Sequence, residues 1–304
     1  MFANFTLLCG DTVSSWFMSS GLMMKRVYIY GLFVLACCAM SFGAAQADEL
    51  PQWEAGAGAV LFSMPDYRGS DHSEIYAYPI PYLVYRGDVL RIDRKAIRGV
   101  FYTSDRIEVD TSINGTPSIS SDGNAARQGM PDLDANIEIG PSLKIRLDNG
   151  GATGLRTELQ LPLRASFATD LTYLHYTGLV FYPRLNVDWT QRTAGGRWSA
   201  GAALGPVFID TRNAEWFYSV APQYANMLRS QYDAAGGYAG MQLALAATVK
   251  TNGYWLGVFS RVDSVSGARF EDSPLVTAKW NVTVGIAAAW VFGTSEVKVK
   301  SEEW

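Results

Sequence analysis

The sequence predicts an all-β chain: an antiparallel transmembrane β-barrel of about 12 strands that follows a cleaved N-terminal signal peptide. Three observations carry the prediction. Long runs alternate apolar and polar residues, the runs are even in number, and the connections between them are short and long by turns.

The N-terminus reads as a targeting segment. Lys25 and Arg26 precede the apolar run Val27–Cys38, and Ala45-Gln46-Ala47 is a small-x-small cleavage site ahead of Asp48. Met1–Met23 carries no Lys or Arg, so Met24 is expected to be the true start. Residues 1–47 are then an upstream extension plus signal peptide, 48–292 the barrel and 293–304 a C-terminal tail. The alternatives are an uncleaved helix and lipidation at Cys37, but the cut after Ala47 is the cleaner one. Cleavage removes Cys9, Cys37 and Cys38, so the mature chain of about 257 residues is expected to have no disulfide and no thiol chemistry. The net charge of −4 and the lack of a basic cluster argue against a nucleic-acid partner. No mature segment has the roughly 20 consecutive apolar residues of a membrane helix.

The clearest strand is Leu133–Leu147. Its odd positions, Leu133, Ala135, Ile137, Ile139, Leu143, Ile145 and Leu147, are apolar; its even positions include Asp134, Asn136, Glu138, Ser142, Lys144 and Arg146. A period of two puts these sets on opposite faces. The run is about 15 residues long, where strands of soluble proteins average about 5–6. The pattern recurs in Leu155–Phe167, Leu179–Trp189, Trp198–Phe208, Tyr238–Val249, Tyr254–Asp263 and Val276–Phe292. Shorter segments are Trp53–Phe62, Tyr76–Arg86, Val89–Asp93, Gly99–Thr103 and Arg106–Ser112. Together they make twelve.

Connections at Gly87-Asp88, Ser104-Asp105, Asp148–Gly151, Arg192–Gly196 and Thr251–Gly253 are tight turns of Gly, Asp, Asn or Ser. Those at Ser63–Ile75, Arg94–Arg98, Ile113–Asp132, Ala168–Tyr176, Asp210–Tyr232 and Ser264–Leu275 are mostly longer. With both termini periplasmic, all the tight turns fall on that side and the longer loops outside, as outer-membrane barrels arrange them. Trp189, Trp198, Trp255, Trp280, Trp290 and Phe292 lie near strand ends and read as interfacial girdles.

The charged residues Asp134, Glu138, Lys144, Arg146, Arg156, Glu158, Arg164, Arg184 and Asp188 are expected to face the lumen, pairing across its wall or lining a pore. His72 and His175 are the only histidines, and both fall in outer loops. Sequence neighbours of His72 such as Ser70, Asp71 and Ser73 do not make a triad, since adjacent strand residues point to opposite faces; no catalytic residue is expected. Asp66, Asp71, Glu271 and Asp272 are expected to solvate loops or cap turns, not to gather a divalent cation, so neither metal nor cofactor is expected. In Pro65–Asp71 a proline that fixes φ and a glycine that permits positive φ predict a defined turn.

Several stretches resemble the MltA-interacting protein (MipA/OmpV) family of outer-membrane proteins. They are Pro65-Asp66-Tyr67-Arg68-Gly69-Ser70-Asp71, Pro79–Asp88, Leu133–Gly140, Gly205-Pro206, Trp216–Val220 and Phe270-Glu271-Asp272-Ser273-Pro274-Leu275-Val276, in this order across the mature chain. The resemblance implies an outer-membrane barrel in contact with lipid and a non-enzymatic scaffold role in peptidoglycan turnover, linking a lytic transglycosylase and a murein synthase. It draws attention to Asp66, Tyr67, Gly69, Ser70 and Asp71, and to Asp272, Ser273 and Pro274, as loop residues that bind. The alternatives are a channel for small solutes and an outer-membrane hydrolase. One departure is the tail Gly293–Trp304: family members tend to stop at the aromatic matched by Phe292. Trp304 can take over as the terminal aromatic, or the tail hangs free in the periplasm.

Overall fold

The computed structural model describes residues 49–92, 97–148, 154–170 and 172–300. The expected signal peptide, its cleavage site, the three cysteines and Trp304 lie outside these residues. The strands are β1 (Glu49–Pro51), β2 (Trp53–Pro65), β3 (Ser73–Arg86), β4 (Leu90–Ile92), β5 (Ile97–Thr103), β6 (Ile107–Thr116), β7 (Ala135–Asp148), β8 (Leu155–Thr169), β9 (His175–Phe181), β10 (Arg184–Thr193), β11 (Gly196–Ile209), β12 (Gly237–Lys250), β13 (Tyr254–Ser264), β14 (Trp280–Thr294) and β15 (Lys298–Lys300).

From β2 to β14 these segments form one antiparallel sheet that closes on itself. The closing seam pairs β14 with β2, from Val284 opposite Ser63 to Thr294 opposite Glu54. Segments β9 and β10 lie end to end, both between β8 and β11, so the wall has twelve strands. Among the described residues every wall strand has a neighbour on both sides, although β3 meets β4 only at Tyr85 and Arg86.

The alternation sorts as the sequence predicts. On β7, Ile137, Ile139 and Leu147 are exposed on the outer face, while Asn136, Ser142 and Lys144 are buried inside. On β14, Trp280, Val282, Val284, Ile286, Trp290 and Phe292 face out. These exposed apolar side chains form a continuous outer surface, the arrangement of a barrel whose solvent is lipid. The tight turns and both ends of the described chain sit at one end of the barrel, the longer connections at the other.

The structure differs from the sequence reading at particular elements. The strand expected over Leu179–Trp189 breaks at Tyr182-Pro183, where proline has no N–H to give the ladder. The last strand starts at Trp280, not Val276, because Thr277 and Ala278 donate their backbone N–H groups to Gly69 O, at 2.8 and 2.9 Å. Similarly, Leu133 is buried in a loop bridge with Ile119 and precedes β7. Trp255 belongs to no girdle: it faces inward, packs on Tyr82 with ring centroids 6.0 Å apart and planes tilted by 47°, and lies over Gly257, where a Cβ would sit 2.8 Å from its ring. The connection after β11 holds a helix, α1 (Thr211–Tyr218), capped by Asp210 Oδ1 accepting from Asn213 N. The tail does not hang free: β15 pairs antiparallel with β1, Glu49 opposite Lys300.

Candidate functional site

The larger buried apolar cluster lies at the long-loop end of the barrel. Tyr67, Ile119, Leu133, Ala214, Tyr218, Val220, Phe270 and Leu275 from four connections pack there on Val180, Tyr182, Val207 and Ala239 of the wall. Phe270 and Leu275 are fully buried, and the Tyr218 ring stacks on Phe270 at 3.6 Å. The loops are thus a folded cap across the barrel mouth.

The two sequence motifs meet in this cap although some 200 residues separate them. Tyr67 OH donates to Leu275 O at 2.8 Å, and its ring meets Tyr218 edge-on at 6.1 Å. Burial pushes the Tyr67 phenol up to about 12, against the opposing pull of the Arg127 guanidinium. Gly69 adopts φ +98°, which a side chain would strain, and its N–H donates to Asn281 Oδ1 at 2.6 Å. Buried Ser70 accepts from Asn281 Nδ2 at its carbonyl and donates its hydroxyl to His72 O. Asp71 is exposed and accepts from the Thr277 hydroxyl at 2.7 Å. Ser273 is buried and donates to Tyr218 O at 2.6 Å, whereas Asp272 is exposed and Pro274 half-buried. Asp66 is buried; its Oδ2 accepts from Asn124 Nδ2 at 2.7 Å and lies 3.0 Å from His72 Nδ1.

Asp71, Glu271 and Asp272 are not drawn to Asp66. Glu271 pairs instead with Lys279 at 2.6 Å, a bond that lowers the Glu271 carboxyl below its usual range and raises the lysine. His175 lies apart from His72, its ring 5.6 Å from Trp216.

Below the cap the lumen carries charge on one side. Lys144 Nζ sits between Glu108 Oε1 (2.9 Å) and Asp110 Oδ2 (2.6 Å), with Arg91 and Arg98 on the same carboxylates. Arg164 pairs with Glu138 at 2.9 Å. Arg184 donates twice to Gln160 Oε1 and lies over the Tyr182 ring. Glu158 accepts from Asn186 and stands opposite Arg146 in the ladder, as Asp188 stands opposite Arg156. Arg146 donates to Asp105 O at the tight-turn end. Asp134 is the exception: it precedes β7 and accepts from Tyr173 OH in the loops.

Sequence reasoning missed several lumen charges. Glu108 and Asp110 are both fully buried, and so are Glu54, which binds Arg86 and Lys250, and Asp263, which binds Arg68 and Arg261. The signal was available, because Glu108, Asp110 and Ser112 alternate with Val109 and Thr111 on β6. A cavity of about 160 Å³ lies between the cap and this lattice, lined by Asp66, Arg68, Glu138, Arg164, Arg184 and Arg261 among others.

A search of the solved structures finds the outer-membrane protease OmpT from Escherichia coli, 7% identical, covering 83% of this chain and 98% of that one at a TM-score of 0.28. The outer-membrane expressed OmpT of Vibrio cholerae is 9% identical, covering 82% of this chain and all of that one at a TM-score of 0.26. Likenesses this weak carry no argument about activity. No curated protein matches the sequence. The family model for MltA-interacting protein MipA matches residues 57–292, from within the first wall strand, β2, into the last, β14. That match covers most of the chain, and the protein belongs to the MltA-interacting protein MipA family.

Proposed function

We propose that this outer-membrane barrel is a non-enzymatic scaffold that holds a lytic transglycosylase, and with it a murein synthase, at the inner surface of the outer membrane. In this reading the apolar outer wall meets lipid, the cap faces out, and the tight-turn end faces the periplasm. The name of the family supplies the transglycosylase MltA as the first partner to test.

The observation that carries the reading is the ribbon of β1 and β15. Tight turns alone offer little surface for docking. The ribbon extends the tight-turn end with a second small sheet, tied to the barrel by Gln52 N donating to Val297 O (2.9 Å) and Ser295 N donating to Trp53 O (2.9 Å). A two-stranded ribbon has free edges, which a partner strand can extend. The test is capture of purified transglycosylase by the full chain and by a chain ending at Ser295. The full chain is expected to retain the enzyme and the truncated one to lose it. Equal retention by both would move the contact elsewhere, and none by either would remove the scaffold reading.

A second reading, a solute channel, is favoured by the other side of the lumen. There Gly58, Val60, Ala244, Ala246, Gly257 and Ala287 line the wall, and inward-facing Ala246 and Tyr78 are exposed. Planar-bilayer recording separates the two: stepwise openings support a channel, and a silent membrane supports a capped scaffold.

A further inference from the structure

We infer that Asp66, His72 and Glu74 form a binding site for a divalent transition-metal ion, with Zn²⁺ the best match, in the cap of the barrel. Each residue offers a ligand atom, and these atoms lie within 4.8 Å of one another. The hairpin between β2 and β3 brings them together: Asp66 N donates to His72 O across the turn, and Glu74 pairs with Met64 two residues before Asp66.

The Asp66 side chain is almost entirely shut off from solvent, at 1% exposure. Its Oδ2 is taken by Asn124 and His72, but its Oδ1 is buried without a hydrogen-bond partner. A buried carboxylate oxygen left unpaired is costly, and a cation at this point gives it the partner it lacks. The spacing fits. Two ligands about 2.0–2.1 Å from a tetrahedral ion stand about 3.3 Å apart; His72 Nδ1 lies 3.0 Å from Asp66 Oδ2 in a hydrogen bond that holds the imidazole within ligand range of the carboxylate and that the ion would replace. Half-buried Glu74 needs only side-chain rotation to close the set.

One imidazole nitrogen with two carboxylates selects zinc-like ions; Ca²⁺ and Mg²⁺ prefer six or more oxygen ligands or a largely hydrated shell. Asn124 orients Asp66 from outside the ligand set and also donates to the Ser70 hydroxyl at 3.0 Å. Because Asn124 belongs to the connection after β6, these hydrogen bonds tie that loop to the turn that carries the ligands. Three protein ligands leave a coordination position open to water or to an outside ligand.

The test is calorimetric titration of the tag-free full chain, folded in detergent, with Zn²⁺ as the probe. One ion per chain is expected. Asp66→Asn and His72→Ala should each weaken binding at least tenfold, Glu74→Gln should weaken it less, and His175→Ala should leave it unchanged. Resistance of each variant to unfolding in cold SDS shows that the barrel has formed, and Glu74→Gln keeps the size of a half-buried side chain. Ca²⁺ at the same concentration should give no comparable heat. No Zn²⁺ uptake by the native chain, undiminished binding by His72→Ala, or binding lost with His175 instead would overturn the proposal.

Discussion

At the scale of the residue, the motif positions act as clasps. Tyr67 and Gly69 join the first connection to the last, Tyr67 through Leu275 O and Gly69 through Asn281, Thr277 and Ala278. Tyr67→Phe removes the bond to Leu275 O and leaves a buried carbonyl unpaired, which should cost about 1–3 kcal/mol. Gly69→Ala should cost about 1–2 kcal/mol through its left-handed backbone. Both losses are measurable as lowered urea midpoints of the detergent-folded barrel. The Tyr67 phenol, raised to about 12 from an unfolded value near 10, favours the neutral form in the folded state. Its contribution is therefore complete below about pH 10 and disappears as pH rises toward 12. Alkaline unfolding of the native chain should show this component, and the Tyr67→Phe variant should lack it. In the lumen, Lys144 stands between two carboxylates that are fully buried. Lys144→Met removes the ammonium they share, leaving Glu108 to Arg91 and Arg98 and Asp110 to Arg98, and should cost about 1.5–3 kcal/mol, read in the same denaturation assay.

At the scale of the element, period-two patterning made the wall strands legible in the sequence. The runs around Ile139, Leu161 and Val284 specify their faces unambiguously, since a shift of one residue would turn the apolar set inward. Strand ends were less legible, because they depend on partners far along the chain. Val276–Lys279 continues the alternation and yet leaves the sheet, since Gly69 O captures Thr277 and Ala278; nothing local marks that capture. Helix α1 had a local signal in Asp210 at its cap, but eight residues of weak amphipathicity inside a long connection gave little periodicity to read. Trp255 shows the limit of composition: an aromatic near a strand end belongs to a girdle or to the lumen according to the parity of its strand. The contrast between faces is testable on single strands. Ile286→Arg puts a charge on the outer face and should destabilise the barrel by about 2–4 kcal/mol if it lies near the bilayer midplane. Ala246→Arg faces the roomy side of the lumen and should cost far less. Urea titration in lipid vesicles compares the two.

At the scale of the molecule, the barrel has two unlike ends. One is closed by a cap of loops with its own apolar core; the other carries tight turns and a ribbon made from both ends of the described chain. Between them the charged lattice of β6 to β10 faces a wall where small residues such as Gly58, Ala244, Ala246 and Ala287 sit among aromatic rings and the ion pairs of Glu54 and Asp263. The lumen charges were partly legible, because Glu138, Arg156 and Arg184 interrupt long apolar runs. The cap was not, because its core is assembled from four connections whose apolar residues show no period. That Asp66 lies beside His72 and Glu74 and not beside Asp71 or Glu271 is likewise a property of the folded turn. The proposed division of labour builds on this shape: a wall for lipid, a closed mouth, and an opposite end for a partner.

The claim beneath all of this is that one face of each strand meets lipid and the other the lumen. Because every cysteine precedes residue 48, single cysteines can be introduced into a chain that starts at Asp48 without background. Spin labels at Asn136→Cys, Ile137→Cys, Glu138→Cys and Ile139→Cys, in vesicles, report contact with oxygen in lipid and with a water-soluble nickel chelate. The account predicts high oxygen accessibility at 137 and 139 and low accessibility at 136 and 138. Equal accessibility at all four positions, or access of the chelate to 137 and 139, would contradict it.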